Sequence, residues 1–174
     1  MKNPTAELLA EATQLKHIDR AGWLRLGITH PESVAAHSFG VAFSAMLLCP
    51  PGLDRERVLM MALLHDLAEA RVGDITPHDG VPREEKKRQE RAAISVMLAT
   101  RPDLLALWEE MEANDSPEAH FVHEMDKLDL GLTARQYDHL GHLVAELLAV
   151  GEPSVRRWLE APRRDEPAAG PPAG

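Results

Sequence analysis

An all-α fold is predicted for this 174-residue chain by three observations. Aromatic residues make up only 4% of it, and no stretch alternates apolar with polar residues between turn pairs, so strand signals are missing. Apolar residues recur instead at three- and four-residue steps along nearly every segment. Proline, glycine and N-cap residues then punctuate those segments at helical lengths.

The first predicted helix covers residues 5–16, followed by an irregular stretch, 18–31, that contains Gly22 and Gly27. A second covers 33–48, with Val34, His37, Val41, Ala45 and Leu48 on one face, and Pro50, Pro51 and Gly52 end it. Asp54 is the expected N-cap of a third, reaching about residue 70; it is apolar nearly all round after Arg57, which places it at the centre of the fold. Residues 72–82 read as a loop and 83–99 as a strongly charged helix. Pro102 opens another helix through about 112, and Ser116 followed by Pro117 starts a long one to about 150, with a break near Gly141. A short helix around 154–159 closes the domain, predicted to span residues 1–160. Residues 161–174, with four prolines, two glycines and no large apolar side chain, read as a disordered tail.

Composition narrows the function classes. Nineteen Lys and Arg against 28 Asp and Glu give a net charge of −9, which argues against a nucleic-acid polymer as partner. The longest unbroken apolar run, 58–64, is too short to span a bilayer, so no membrane partner is expected. Cys49 is the single cysteine, and the first residues carry acids where a secretory signal would be apolar; both favour the cytoplasm. Neither a P-loop nor a GxSxG elbow is present.

Chemistry concentrates on a few polar residues in apolar surroundings. His65 and Asp66 interrupt the helix LMMALLHDLAEA, and an ionised carboxylate buried there needs a partner or a cation. Taken alone, the dipeptide is equally consistent with a hydrogen-bonded pair that caps a core. His37 lies on the inward face of the second helix, and Asp126 borders the buried side of FVHEMDKLDLGL, where a plain edge carboxylate paired with Lys127 is the simpler alternative. Together, two imidazoles and two carboxylates suit Mn²⁺, Fe²⁺, Co²⁺, Ni²⁺ or Zn²⁺. Glu69 projects one turn after this pair, and Gly73 lets Asp74 turn back toward it; these carboxylates serve as general acid or base or as ligands of a second ion, the alternatives being a solvated helix end and a turn-forming Asp.

The segments PESVAAHS, LLHDLAEARVGDITP and HEMDKLDL, with LKHIDRAGW at 15–23, VPREEKKRQERAA at 81–93 and LWEEMEANDSPEAHFVHEMDKL at 107–128, resemble the HD-domain metallohydrolases, most of all their 5′-deoxynucleotidase branch. The resemblance implies a helical HD-domain bundle with a central buried metal-binding helix and a divalent cation, from among Mn, Co, Mg, Fe, Ni and Zn, on His37, His65, Asp66 and Asp126. It implies catalytic roles for Glu69 and Asp74, or a second metal on Glu69, Asp74 and the main chain of Ile75. The activity implied is removal of phosphate from (deoxy)ribonucleoside 5′-monophosphates, a small-molecule substrate, by a homodimer. Bacterial members place an arginine directly before the tryptophan that contacts the nucleotide. Here Gly22 precedes Trp23, so Arg20, Trp23 and Arg25 are the substrate-binding candidates, with core packing the alternative for Trp23. His78 and Asp79 lie in the loop after Asp74. The run Glu84, Glu85, Lys86, Lys87, Arg88 and Glu90 reads as a solvated face with i,i+4 pairs, and by resemblance as a substrate-side or interface element. Two alternatives stand beside this reading: an HD phosphohydrolase acting on another phosphate ester, such as a cyclic nucleotide or alarmone, and a non-catalytic nucleotide-binding module with a structural metal.

Overall fold

Caps and helix-stop residues set the observed architecture, and the computed structural model describes residues 3–137 and Leu159. Helix α1 (Pro4–Ala12) starts at Asn3, whose side chain accepts from the N–H of Thr5 at 3.1 Å, and it tightens into a 3-10 turn at Thr13–His17. The segment expected to be irregular contains a short α2 (Ala21–Arg25), which tertiary contacts hold. The Ala21 N–H donates to Asp74, and Trp23 packs edge-on against Tyr137 at 5.3 Å. Among the described residues the only β contact is one antiparallel bridge, Asp19 to Ser33, so the all-α fold class holds.

Ser33 caps α3 (Val34–Leu48), accepting from the Ala36 N–H, and Asp54 caps α4 (Arg55–Leu64), accepting from Glu56 and Arg57. The predicted run to residue 70 is interrupted: α4 ends at Leu64, a turn of i→i+3 bonds follows, and the chain re-forms as α5 (Glu69–Val72). The physical reason is local, because the His65 ring donates its Nδ1–H to the Ala62 carbonyl at 2.7 Å, the acceptor that the Asp66 N–H would use in a continuing helix. Gly73, at φ 78°, then reverses the chain. Helix α6 spans Arg83–Met97, α7 spans Pro102–Ala113 and ends in Asn114 at φ 57°, and α8 spans Pro117–Ala134 from a Ser116 cap.

Helices α3 and α8 pack together, and α4 sits between α3, α7 and α8, as its all-round apolarity predicts. Val41, Ala45, Val58, Met61, Ile94, Met111, Val122 and Leu128 form the shared core. At about 1.5–3 kcal/mol per large apolar side chain, this burial offsets the cost of holding the polar His37 at 0% exposure. Helix α8 ends at Ala134, where i→i+3 bonds take over at 136–137 and carry Tyr137 to Trp23 and to the Glu32 N–H; the rest of the predicted run, 138–150, lies outside the described residues. The break at Gly141, the helix at 154–159 apart from the helical Leu159, the boundary at 160 and the tail at 161–174 lie outside the described residues. No helix among the described residues is long and apolar enough to cross a membrane.

Candidate metal centre and active site

Helix α3 delivers His37, the end of α4 delivers His65 and Asp66, and the middle of α8 delivers Asp126. Their ligand atoms converge. The Nε2 atoms of His37 and His65 lie 3.4 Å apart, Asp126 Oδ1 is 3.1 Å from His37 Nε2, and Asp66 Oδ2 is 3.1 Å from His65 Nε2 and 3.7 Å from His37 Nε2. His37, His65 and Asp126 each offer one atom within 4.8 Å of the others. Both imidazoles have their far nitrogen engaged: His37 Nδ1 donates to Asp129 at 2.8 Å and His65 Nδ1 to Ala62. Each Nε2 is thereby aimed at the cluster, an arrangement typical of metal-ligating histidines.

The electrostatics fit a cation at this point. Asp66 Oδ2 is buried with no hydrogen-bond partner, as is Glu69 Oε2. Burial works against the Asp66 carboxylate, yet His65, His37 and Arg20 hold it well below the usual carboxylate range, so it stays ionised. Burial also works against a charged His37, but its hydrogen bonds to Asp126 and Asp129 prevail and push it up to about 10. A proton on His37 supplies the positive charge that the surrounding carboxylates call for. Glu69, by contrast, is raised well above the carboxylate range, first by burial and then by Asp66 and Asp74, and holds a proton at neutral pH.

Above the cluster opens a pocket of about 600 Å³. Asp66, Asp126, Glu69, Asp74 and Ile75 line it together with Arg20, Trp23 and Arg25. Arg20 lies 3.6 Å from Asp66 and 4.0 Å from Asp74, whose other oxygen accepts from Ala21 at 2.7 Å. Trp23 is only 2% exposed and gives its indole N–H to Glu32, so it forms wall and core at once. Arg25 is paired with Asp79, which also accepts from the Thr76 N–H and hydroxyl; His78 faces the pocket. The charged helix α6 carries one of the expected i,i+4 pairs, Lys86 with Glu90, which is largely buried and not solvated, and an i,i+3 pair, Arg88 with Glu85.

A family model described as HD domain matches residues 12–147. The chain belongs to the HD domain family. Over 134 residues this HD domain is 40% identical to the 5′-deoxynucleotidase HDDC2 of Homo sapiens, an alignment covering 74% of this chain and 66% of the human protein, slightly under two thirds of its length. A solved protein from Pyrococcus horikoshii matches with a TM-score of 0.72 at 33% identity, over 89% of this chain and 94% of that one. The HD phosphohydrolase of cyanophage S-2L, solved bound to dA and one catalytic Zn²⁺ ion, matches with a TM-score of 0.52 at 25% identity, over 86% of this chain and 90% of that one.

Sequence reasoning overlooked three residues of this HD domain. Asp129 orients His37, and its position three residues after Asp126, on a stripe with Met125 and Leu128, was the available signal. Gly40 permits that contact, because a Cβ there would lie 2.0 Å from Asp129 Oδ1. Glu32 anchors Trp23 and stands with His37 and Asp129 in a second acidic group, a link no local pattern announces. Replacing Asp129 with alanine is expected to weaken divalent-metal binding by about 10–100-fold, read by chelator competition, while leaving helicity intact. Unchanged metal affinity would remove Asp129 from the centre.

Proposed function

We propose that this HD domain is a divalent-metal-dependent phosphomonoesterase that releases phosphate from deoxyribonucleoside 5′-monophosphates. The observation that carries the reading is the convergence of two imidazole Nε2 atoms with Asp126 and Asp66 at the floor of a pocket bearing Arg20, Glu69 and Asp74. The name of the human relative, a 5′-deoxynucleotidase, supports the substrate class. In this reading His37, His65, Asp66 and Asp126 hold the cation, with Mn²⁺, Fe²⁺, Co²⁺, Ni²⁺, Zn²⁺ and Mg²⁺ as candidates. A divalent cation supplies Lewis-acid polarisation of the phosphoryl group and of water.

The chain's own groups do the rest. Arg20, fixed between Asp66 and Asp74, turns its guanidinium to the phosphate oxygens. Asp74 locks the entry to α2 through the Ala21 N–H, so that Arg20 and Trp23 keep their places on the wall. Glu69, protonated in its buried setting, gives its proton to the departing 5′-oxygen. Trp23 and Leu26 bound the part of the pocket where a base would lie. A second reading of the same wall has Glu69, Asp74 and the Ile75 main chain hold a second ion, and the orphaned Glu69 Oε2 favours it. Metal analysis separates the two by giving one or two ions per chain. Self-association as a homodimer belongs to the proposal, supported by the exposed apolar face of α3 at Phe39, Phe43 and Leu47. A reducing cytoplasm fits the single Cys49.

Phosphate release from 5′-monophosphates, 3′-monophosphates and cyclic nucleotides tests the bond that is cut. Release confined to the 5′-esters, with deoxyribose preferred, is the expected result. Proton linkage adds a second check. The metal-free His37 keeps its proton up to about pH 10, and a cation needs that nitrogen's lone pair, so binding expels a proton. Apparent metal affinity should therefore rise toward pH 10, by up to about tenfold per pH unit for one proton, with release visible in calorimetry in buffers of different ionisation heats. Affinity independent of pH contradicts this.

A further inference from the structure

Arg20 is not the only cation that reaches the pocket wall. Lys86, in the first turn of α6, lines the same pocket as Asp66, Glu69 and Asp126. Its side chain is two-thirds buried, and its ammonium lies 3.4 Å from Glu90 Oε1, one turn further on. Glu90 is itself only 12% exposed, so this is a held charge and not a solvated lysine. The neighbouring residues behave differently: Lys87 lines a separate cleft between α6 and α7, and Arg88 is spent on Glu85. Arg25, at the pocket rim, is paired with Asp79. Within the charged run of α6, Lys86 alone lines the site.

The charge balance of the pocket asks for such a group. Asp66, Asp126, Asp74 and Glu69 bring four carboxyls to one cavity. One divalent cation and one guanidinium leave that set close to neutral at best, even with Glu69 protonated, and a phosphate dianion entering it adds two further negative charges. An ammonium on a flexible four-carbon stem is suited to follow a phosphate oxygen, because it acts as a compact point charge with rotatable donors. We infer that Lys86 is a substrate-binding residue which, from the wall formed by α6, takes a non-bridging oxygen of the phosphate that Arg20 also holds. Glu90 acts through it as a positioning residue, keeping the ammonium at the wall. The inference rests on the phosphomonoesterase reading for its substrate, but its chemistry concerns any phosphate group in this pocket.

The test uses the full chain loaded with Mn²⁺ and inorganic phosphate as the probe, titrated directly and as a competitive inhibitor of nucleotide hydrolysis. Lys86→Gln is expected to weaken phosphate binding by about 10–100-fold, the loss of one charge-assisted hydrogen bond, and to raise KM for the nucleotide in parallel. Lys86→Arg should recover most of that affinity. Metal content and binding of the free nucleoside should not move in either variant, which a merely structural role for the Lys86 and Glu90 pair would not predict. Phosphate affinity unchanged in Lys86→Gln, or loss of the metal in that variant, overturns the inference. Should the wild-type protein bind phosphate yet hydrolyse none of the nucleotides, the substrate reading fails while the phosphate titration still decides the role of Lys86.

Discussion

Asp66→Ala is expected to yield a folded, helical protein that retains no tightly bound divalent cation and has lost turnover by about three orders of magnitude or more. Asp66 Oδ2 stands 3.1 Å from His65 Nε2 and 3.7 Å from His37 Nε2, and it is the ionised partner that keeps Arg20 beside the cluster at 3.6 Å. Its removal leaves two imidazoles and a guanidinium with one of their shared anions gone, so a cation would enter a site that has become more positive. Elemental analysis of the purified variant, phosphate release and far-ultraviolet dichroism read the three parts of the prediction. A variant that is active and free of metal contradicts it.

Glu69→Ala separates the chemistry from the metal. Glu69 reaches the pocket from the first turn of α5, is 3% exposed, and has one carboxyl oxygen with no hydrogen-bond partner. Burial first, then Asp66 and Asp74, raise it above the ordinary carboxylate range in the metal-free chain, and in the proposed reaction this carboxyl is the proton donor. Turnover is expected to fall by about 10²–10⁴-fold, the usual worth of a positioned acid, while the ion on His37, His65, Asp66 and Asp126 stays bound. Glu69→Gln keeps the shape without an ionisable group and should be nearly as slow. Loss of that first ion in either variant would show that Glu69 belongs to the first centre.

Much of this could be read from residue order because the signals were local. Asp54 and Ser116 cap their helices as their side chains foretell, Ser33 proves to be the cap and not the first residue of its helix, and the inward face containing His37, Val41 and Ala45 follows from spacing alone. His37, His65 and Asp66 stand out because polar residues on apolar helix faces have few ways to be satisfied, whereas Asp126, at the edge of its stripe, joins them as a ligand through the resemblance to the HD-domain metallohydrolases. Misses occurred where a tertiary contact overrides local preference. The turn after Leu64 depends on a ring nitrogen taking a backbone acceptor, and α2 depends on Asp74 reaching back 53 residues to the Ala21 N–H. Asp129 was passed over since an acid at i+3 from another acid looks like a solvated edge until α3, thinned at Gly40, is laid against it. Lys86 reads the same as Lys87 in sequence, and only the register of α6 against the pocket tells them apart.

The most direct measurement of the central claim is to strip the full chain of metal and restore Mn²⁺, Co²⁺, Mg²⁺ or Zn²⁺ in steps, following metal occupancy and phosphate release from a deoxyribonucleoside 5′-monophosphate in the same samples. No release is expected from the stripped protein, and turnover should climb in proportion to occupancy, with His37→Ala and Asp66→Ala silent at every step. Hydrolysis by the stripped protein, or by either variant with its metal centre empty, would contradict it.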